Sequence, residues 1–260
     1  MKLEWTIFDP PAEHGPVLLL GASLGGNSAR QWTPVARQLA RRATVVFVDL
    51  PGHGASHGWD DDEPATLESV AASIVAVARQ VRQRFPGRPL FFAGLSISGA
   101  TALYLARDYA AELDGIAVVA SAPKIGEPAA WHERAQLVAA GGTAQLVPAT
   151  QQRWFSPQFQ AEQPDLVAAI MADLAAADDH SYAQLCRALA VHDLRAELAG
   201  ITLPALIIAG EADETTPLAQ VRDLASALPQ AKLTVLPGAA HQVPAAKPVE
   251  VAAELLEFCG

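Results

Sequence analysis

Cysteine, clustered basic residues and long apolar runs are the features that this sequence lacks. Only 2 of its 260 residues are cysteines, Cys186 and Cys259, which are too few for a disulfide framework and too far apart for a metal or redox motif. We therefore expect reduced thiols and a cytoplasmic location, with a single disulfide as the alternative. The N-terminus shows no apolar stretch followed by a small-residue cleavage site, so no export signal is expected.

Charge and hydropathy exclude further classes of protein. Lys and Arg number 18 and Asp and Glu 28, which gives a formal net charge of −10 without any basic cluster. A nucleic acid or an anionic membrane surface is not an expected partner, because the electrostatic attraction would have the wrong sign. The longest apolar run, near Pro16, falls far short of the roughly 18 residues of a membrane span. We expect a globular monomer or small homo-oligomer that acts on a small molecule.

Short β-branched and aliphatic runs alternate with segments of helical periodicity along the chain. Predicted strands, most of them continuous apolar runs typical of strands buried on both faces, are residues 3–8, 17–20, 44–48, 90–93, 116–120, 205–209 and 232–236. Predicted helices, with apolar residues three and four apart, are residues 29–41, 66–84, 98–108, 218–228 and 248–258. This alternation predicts an α/β fold with a mostly parallel sheet flanked by helices.

One region interrupts the alternation. Residues 124–199 carry helical patterns, Pro and Trp, but no convincing strand. We interpret them as a helical cap inserted between two parts of one core, residues 1–123 and 200–260. A second helical lobe with no role over a site explains the same periodicity equally well.

The most informative motif follows the fourth predicted strand. There the sequence Gly94-Leu-Ser96-Ile-Ser98-Gly99 leads directly into a predicted helix. Such a sharp strand-to-helix turn, a nucleophile elbow, strains the backbone of its serine, projects the hydroxyl above the sheet edge and requires small neighbours. The strict pattern G-x-S-x-G is missed by one residue, because Ser98 stands where the second glycine belongs. Ser96 is the candidate nucleophile; an ordinary serine-capped helix is the alternative.

A serine hydroxyl is a weak nucleophile near neutral pH and needs a base together with a carboxylate that orients the base. Asp213 and His241 each follow a predicted strand downstream, in the order that this kind of turn predicts. Glu211 and Glu214 compete with Asp213 for the acid role. Because a loop with three carboxylates is often merely solvated, the assignment of Asp213 depends on its pairing with His241.

The oxyanion of a tetrahedral intermediate needs two backbone N–H donors. Ile97, directly after the candidate nucleophile, is one candidate donor. The other belongs to the glycine-rich loop after the strand 17–20, where Leu24 is the first choice and Ser23 the second. A plain strand-to-helix connection is the alternative interpretation of that loop.

Motifs for cofactors and metals are missing. The sequence has no G-K-[ST] phosphate loop, no G-x-G-x-x-G that opens a helix in a first βαβ unit, and no H-E-x-x-H spacing. We expect neither a cofactor nor a metal. The turn Asp49-Leu-Pro-Gly-His53-Gly-Ala-Ser56 is interpreted as structural.

These features together, with the final Phe258, resemble the α/β-hydrolase family over the whole chain. The motifs that carry the resemblance are the Ser96 turn, Asp213, His241 and the turn that contains His53. The resemblance implies the α/β-hydrolase fold with a helical cap, and hydrolysis by a Ser96-Asp213-His241 triad.

Several stretches are similar to the 3-oxoadipate enol-lactonases of the β-ketoadipate pathway of aromatic degradation, namely Ala22-Ser-Leu-Gly-Gly, Ala129-Ala-Trp-His-Glu-Arg134, Arg153-Trp-Phe-Ser156, Tyr182 with Cys186-Arg-Ala-Leu, and Asp193-Leu-Arg195. The chain departs from that family at Ser98, which replaces Gly, at Ala22, where Asn is common, and at Pro51, where Arg often stands. The likeness implies that Trp131 packs over the substrate and that Ser23 and Trp154 contribute to its binding. It also implies that Arg134 or Arg153 pairs with a substrate carboxylate, although each is equally well explained as a surface residue.

We therefore expect a serine hydrolase that cleaves an ester or lactone, with 3-oxoadipate enol-lactone as the best single substrate. A general carboxylesterase or a carbon-carbon bond hydrolase would use the same triad. A ligand-binding protein that turns over nothing is the third hypothesis.

Overall fold

Seven strands form a single sheet in the computed structural model, which describes all 260 residues. The strands are β1 (Trp5–Ile7), β2 (Val17–Gly21), β3 (Thr44–Val48), β4 (Leu90–Leu95), β5 (Gly115–Val119), β6 (Ala205–Gly210) and β7 (Ala231–Leu236). Their order in the sheet is β1-β3-β2-β4-β5-β6-β7. All neighbours are parallel except the antiparallel pair of β1 and β3. The predicted α/β fold with a mostly parallel sheet is confirmed.

Eleven helices accompany the sheet. They are α1 (Ser28–Leu39), α2 (Leu67–Arg84), α3 (Ile97–Asp108), α4 (Pro128–Gly141), α5 (Val147–Trp154), α6 (Pro157–Glu162), α7 (Pro164–Ala176), α8 (Asp179–Val191), α9 (Leu218–Ala227), α10 (Val243–Ala246) and α11 (Pro248–Phe258). Side-chain caps fix the starts of four helices. Asn27 accepts the Arg30 N–H at α1 and Thr66 the Ser69 N–H at α2, and Ser156 and Asp178 cap α6 and α8 in the same way. None of the helices is long and apolar enough to span a membrane.

The continuous apolar runs of the central strands are explained by burial on both faces of the sheet. In β2, Leu18 and Leu20 belong to an apolar cluster with Trp32 of α1, whereas Leu19 belongs to the cluster on the opposite face. One of the two edge strands differs from the expectation. The predicted strand 3–8 shortens to β1, whereas β7 agrees with the predicted strand 232–236 to within one residue. Each edge strand pairs with a single neighbour, and β7 leaves Lys232 exposed.

Helices α4 to α8 lie between β5 and β6 in the chain, and no strand occurs among them. Many of their apolar side chains, Trp154 and Tyr182 among them, belong to the same buried cluster as Leu19 of the sheet. A direct hydrogen bond also joins the two parts, since the Trp59 N–H donates to the Ser181 hydroxyl over 2.8 Å. The inserted helices are thus packed on the sheet rather than held apart from it.

Candidate active site

A strained turn carries Ser96 at the junction of β4 and α3. Its backbone has φ +57° and ψ −117°, which lies in the left-handed region that residues other than glycine rarely adopt. The neighbouring positions have no room for side chains: a Cβ on Gly94 would overlap the Ser98 carbonyl group, and one on Gly99 would lie 2.7 Å from the Ser121 Cβ. The sequence Gly94-Leu-Ser-Ile-Ser-Gly99 therefore forms the sharp turn that its small residues predict.

A buried ion-pair geometry links Asp213, in the loop after β6, with His241, in the loop after β7. Asp213 Oδ2 lies 2.8 Å from His241 Nδ1 and accepts the Thr216 hydroxyl over 2.6 Å. Asp213 Oδ1 accepts the backbone N–H groups of Thr215 and Thr216 at 2.8 and 3.2 Å. The carboxylate therefore fixes the imidazole with its proton on Nδ1 and leaves Nε2 free to act as a base.

Asp213 keeps its charge in spite of its burial. Desolvation would raise the pKa of its carboxyl group, but the charge of His241 and the hydrogen bonds from His241, Thr216 and Thr215 outweigh that effect and lower the pKa below its ordinary value. Asp213 is consequently ionised at neutral pH and can stabilise an imidazolium at His241.

Ser96 and His241 line the same cavity, which has a volume of about 610 Å³ and is bounded by α4, α5, α8 and the loops that follow several strands. The Ser96 side chain is buried but reaches this space, with 8% of the residue exposed. Its hydroxyl makes no hydrogen bond to His241 in this structure; in unliganded hydrolases such contacts are often long and tighten with substrate. A second cavity of about 660 Å³, beside α1 and α7, contains neither residue.

Aromatic side chains supply much of the apolar wall of the Ser96 cavity. The Trp131 indole N–H donates to the Ile125 carbonyl over 2.5 Å, which fixes the ring at the cavity. The Trp154 ring centroid lies 6.2 Å from that of His241. The structure therefore brings two of the predicted substrate-binding residues, Trp131 and Trp154, to the cavity that contains Ser96.

Two arginines in the same cavity have no acidic partner. The Arg134 Nε donates to the Tyr182 hydroxyl over 2.8 Å and its Nη2 to Thr150 Oγ1 over 3.3 Å, but no carboxylate forms an ion pair with it. Arg153 is more exposed and likewise lacks an ion pair, while partial burial and then the positive charge of Arg134 lower the pKa of its guanidinium. Glu133 and Glu214 also line the cavity but form no ion pair with either arginine, so both guanidinium groups are available to an anion.

The loop after β2, residues 22–26, offers one free N–H at the cavity. The Leu24 N–H has no acceptor in the protein, whereas the Ser23 N–H donates to Gln31 Oε1 over 3.0 Å. Leu24 also lines the cavity, and Ile97 begins α3, where the first N–H groups of a helix have no intrahelical acceptor. Leu24 and Ile97 are therefore the better-placed pair of candidate oxyanion donors.

Ser23 lies outside the cavity lining, in contrast to the expectation that it contacts substrate. It is fully buried, and its hydroxyl accepts hydrogen bonds from Gln31 Nε2 at 2.6 Å and Gln242 Nε2 at 3.3 Å. Gln31 lies in the first turn of α1, and its side-chain amide bonds to both the backbone N–H and the hydroxyl of Ser23. The geometry supports a role for Ser23 in holding the loop rather than in binding.

Two sets of residues at the site received no role in the sequence analysis. Thr215 and Thr216 orient Asp213, and the run Asp213-Glu-Thr-Thr216 was a detectable signal, because an Asp that accepts backbone N–H groups two and three residues on is a common turn. Tyr182, the partner of Arg134, is 48 residues away from it in sequence, and no local signal indicates the contact. Glu211 and Glu214, the competing acids, are exposed and make no hydrogen bond to His241.

No group of three His, Cys, Asp or Glu side chains is arranged to hold a metal ion. The two cysteines, Cys186 and Cys259, are buried and unpaired.

Comparisons with known proteins agree with this architecture. The profile of the family described as "Serine aminopeptidase, S33" matches residues 27–245. The chain is 36% identical over 204 residues to 3-oxoadipate enol-lactonase 1 of Acinetobacter baylyi, an alignment that covers 78% of this chain and 74% of that protein. It is 29% identical to a pimeloyl-[acyl-carrier protein] methyl ester esterase of Vibrio vulnificus, with 95% of each chain covered.

A solved structure has the same fold. The crystal structure of the enol-lactonase from Burkholderia xenovorans superimposes with a TM-score of 0.89, at 28% identity, over 98% of this chain and 95% of that one.

Proposed function

Because this chain belongs to the α/β-hydrolase family, as an ester or lactone hydrolase of the enol-lactonase and esterase type, we propose that it opens 3-oxoadipate enol-lactone to 3-oxoadipate. The observation that carries the proposal is one cavity that holds Ser96, His241 and the two unpaired arginines, Arg134 and Arg153. A lactone with a free carboxylate presents an electrophilic carbonyl and an anion to that cavity.

In the proposed first half-reaction, the Ser96 hydroxyl attacks the ring carbonyl while His241 Nε2 accepts its proton. Asp213 holds the imidazolium through Nδ1, and the N–H groups of Leu24 and Ile97 hold the oxyanion. The bond between the acyl carbon and the ring oxygen then breaks, and the acyl group remains on Ser96. The released enolate takes up the proton held by His241 and becomes a ketone, which leaves the imidazole neutral. An enolate is a better leaving group than an alkoxide, so this step needs little general-acid assistance.

The second half-reaction consumes one water molecule. His241 accepts a proton from that water, the resulting hydroxide attacks the acyl carbonyl, and the ester bond to Ser96 breaks. The proton on His241 passes to the Ser96 oxygen, and the new carboxylic acid releases its proton to solvent, so that the product carries a second carboxylate. The product therefore carries one more negative charge than the substrate, which Arg134 and Arg153 together are able to balance.

The inserted residues 124–199 act in this proposal as a cap that supplies Trp131, Trp154 and both arginines to the substrate. A reducing compartment such as the cytoplasm is supported by the unpaired state of Cys186 and Cys259.

A hydrolysis panel of enol-lactones and simple acyl esters tests the proposal, with Ser96→Ala run beside the wild type. We expect turnover of the 3-oxoadipate enol-lactone and a loss on the order of 10⁶ in kcat for the folded variant. Much faster hydrolysis of short acyl esters than of the enol-lactone would instead support a carboxylesterase, a function that the likeness to the methyl ester esterase also favours. Failure of a fluorophosphonate probe to label Ser96 would indicate a protein without catalysis.

A charge variant tests the carboxylate site separately. Arg134→Met should raise KM for the carboxylate-bearing lactone about 10-fold or more, since a hydrogen bond to a charged group contributes about 1.5 to 3 kcal/mol, and should leave KM for a neutral ester nearly unchanged. Arg187→Met is the matched control, because Arg187 is exposed on α8 and its side chain hydrogen-bonds to Gln184. Equal effects of both substitutions, or an equal effect on the neutral ester, would contradict a carboxylate site at Arg134.

A further inference from the structure

We propose that His53 and Ser98 are positioning residues that hold the oxyanion loop, residues 22–26, from its two ends. This inference rests on the proposed function, because it assigns to that loop the Leu24 N–H donor. Neither residue lines the cavity, and the sequence analysis left both without a role in the reaction.

Ser98 holds the first end of the loop. Its hydroxyl donates to the Ala22 carbonyl over 2.5 Å across 76 residues of sequence. The contact is possible because residue 21 is glycine, where a Cβ would lie only 2.8 Å from the Ser98 side chain. Ser98 stands two residues after Ser96 in the first turn of α3, so this bond ties the oxyanion loop to the same helix that carries Ile97.

His53 holds the other end of the loop. Its Nε2 accepts the Gly25 N–H over 2.9 Å, and its Nδ1 lies 2.8 Å from the Pro51 carbonyl oxygen, an acceptor to which only a protonated Nδ1 can donate. The two contacts select the neutral tautomer with Nδ1–H, and burial keeps the ring neutral by lowering its pKa. The Tyr182 ring stacks on His53 at a centroid distance of 6.3 Å and an interplanar angle of 21°, which fixes the plane of the imidazole.

Leu24 lies between the two contacts. The Ala22 carbonyl on one side and the Gly25 N–H on the other are both engaged by side chains from distant parts of the chain, whereas the Leu24 N–H has no acceptor in the protein. An oxyanion donor stabilises the transition state only when it is already oriented before the charge develops. Contacts on both sides of Leu24, at Ala22 and at Gly25, are the means by which this fold achieves that orientation.

The test compares two variants that release the loop with two matched controls. His53→Leu removes the acceptor for Gly25, and Ser98→Ala removes the hydroxyl while it keeps the Cβ. His192→Leu is the control for the first, because His192 is also buried and also bonds through both ring nitrogens, to Tyr104 and a backbone carbonyl, outside the cavity. Ser73→Ala is the control for the second, since its buried hydroxyl donates to a backbone carbonyl of α2.

We expect the loop variants to lower kcat about 10- to 100-fold with KM changed less than about 2-fold, because a misplaced donor weakens the transition state and not the bound substrate. His53→Gln, which can place an amide oxygen near the position of Nε2, should restore most of the loss. Both controls should lower Tm as much as the loop variants do but keep kcat within about 2-fold of the wild type. A purely structural role of His53 and Ser98 would instead lower kcat equally in the loop variants and the controls.

The assay uses p-nitrophenyl acetate as well as the enol-lactone. If the wild type hydrolyses only the simple ester, the proposed lactone is wrong and the ratio of variant to wild-type kcat still tests the loop. If it hydrolyses neither, the proposed function fails, and amide hydrogen exchange decides the positioning role: exchange of residues 22–26 must rise in His53→Leu and not in His192→Leu. Unchanged kcat in both loop variants, or equal exchange in the two histidine variants, would overturn the inference.

Discussion

Replacement of Asp213 by Asn changes one atom of the candidate triad and tests the proposed proton transfer most directly. The two oxygens of Asp213 have different surroundings. Oδ1 accepts two backbone N–H groups, from Thr215 and Thr216, so the amide oxygen of Asn must occupy that position. The amide NH₂ then faces His241 Nδ1, which can only accept from it. The histidine proton is thereby moved to Nε2, and the base that Ser96 needs is lost.

The expected size of the effect follows from the tautomer argument. The same carboxylate-to-amide change in serine proteases leaves the geometry intact and lowers kcat about 10⁴-fold. That factor corresponds to about 5.5 kcal/mol of lost transition-state stabilisation. Folding should be affected far less, because the amide keeps the hydrogen bonds at Oδ1 and Thr216 can reorient its hydroxyl.

The assay is the kcat of Asp213→Asn on whichever ester or lactone the wild type hydrolyses, together with a thermal unfolding curve. Glu211→Gln is the matched control, because Glu211 lies two residues away in the same loop, is exposed and contacts only the Gly238 N–H. It should retain kcat within about 2-fold, as surface changes usually do. A folded Asp213→Asn protein with more than a tenth of the wild-type kcat, or an equal loss in Glu211→Gln, would refute the assignment of the acid.

Three further predictions concern stability and reactivity. Gly94→Ala should lower Tm by several degrees, since overpacking costs about 1 to 3 kcal/mol and each kcal/mol corresponds to about 2 to 4 °C in a chain of this size. Gly200→Ala, with open space around its Cβ, should leave Tm unchanged. Equal Tm values for the two variants would contradict the close packing at Gly94. Burial raises the pKa of both cysteine thiols to about 12. Iodoacetamide at pH 8 should therefore modify Cys186 and Cys259 only after unfolding, as mass spectrometry of the treated protein would show. Burial lowers the pKa of His192 below its ordinary 6.5, so the unfolded chain takes up a proton that the folded chain resists as the pH falls below 6.5. The unfolding free energy should therefore decrease on acidification from pH 7 to 5, by up to about 1.4 kcal/mol per pH unit for this residue. Urea titrations should show a smaller decrease in His192→Gln than in the wild type. An unchanged pH dependence in the variant would contradict a buried neutral His192.

Much of the fold could be predicted from local pattern. The apolar runs of β2 to β6 and the helical periodicities beside them depend on residues close in sequence, and they place most elements within one or two residues of their observed ends. The prediction is too long at β1, where position at the edge of the sheet, a property of the whole sheet, decides the length of the strand.

The same division runs through the candidate site. Local sequence indicates Ser96, because small residues at Gly94 and Gly99 are required wherever a strand turns so abruptly into a helix. It also indicates Asp213 and His241, since the carboxyl ends of parallel strands meet at one edge of a sheet. The sequence by itself thus determined the turn, the order of the three side chains and their common edge.

Tertiary structure alone decided which groups meet at that edge. The choice of Asp213 over Glu211 depends on a contact with a residue 28 positions away, and the choice of Leu24 over Ser23 depends on Gln31, which already occupies the Ser23 N–H. Tyr182 behind Arg134 is a still longer-range partner. Hydrogen bonds are short and directional, so their partners are fixed only once helices and loops have packed to within a fraction of an ångström.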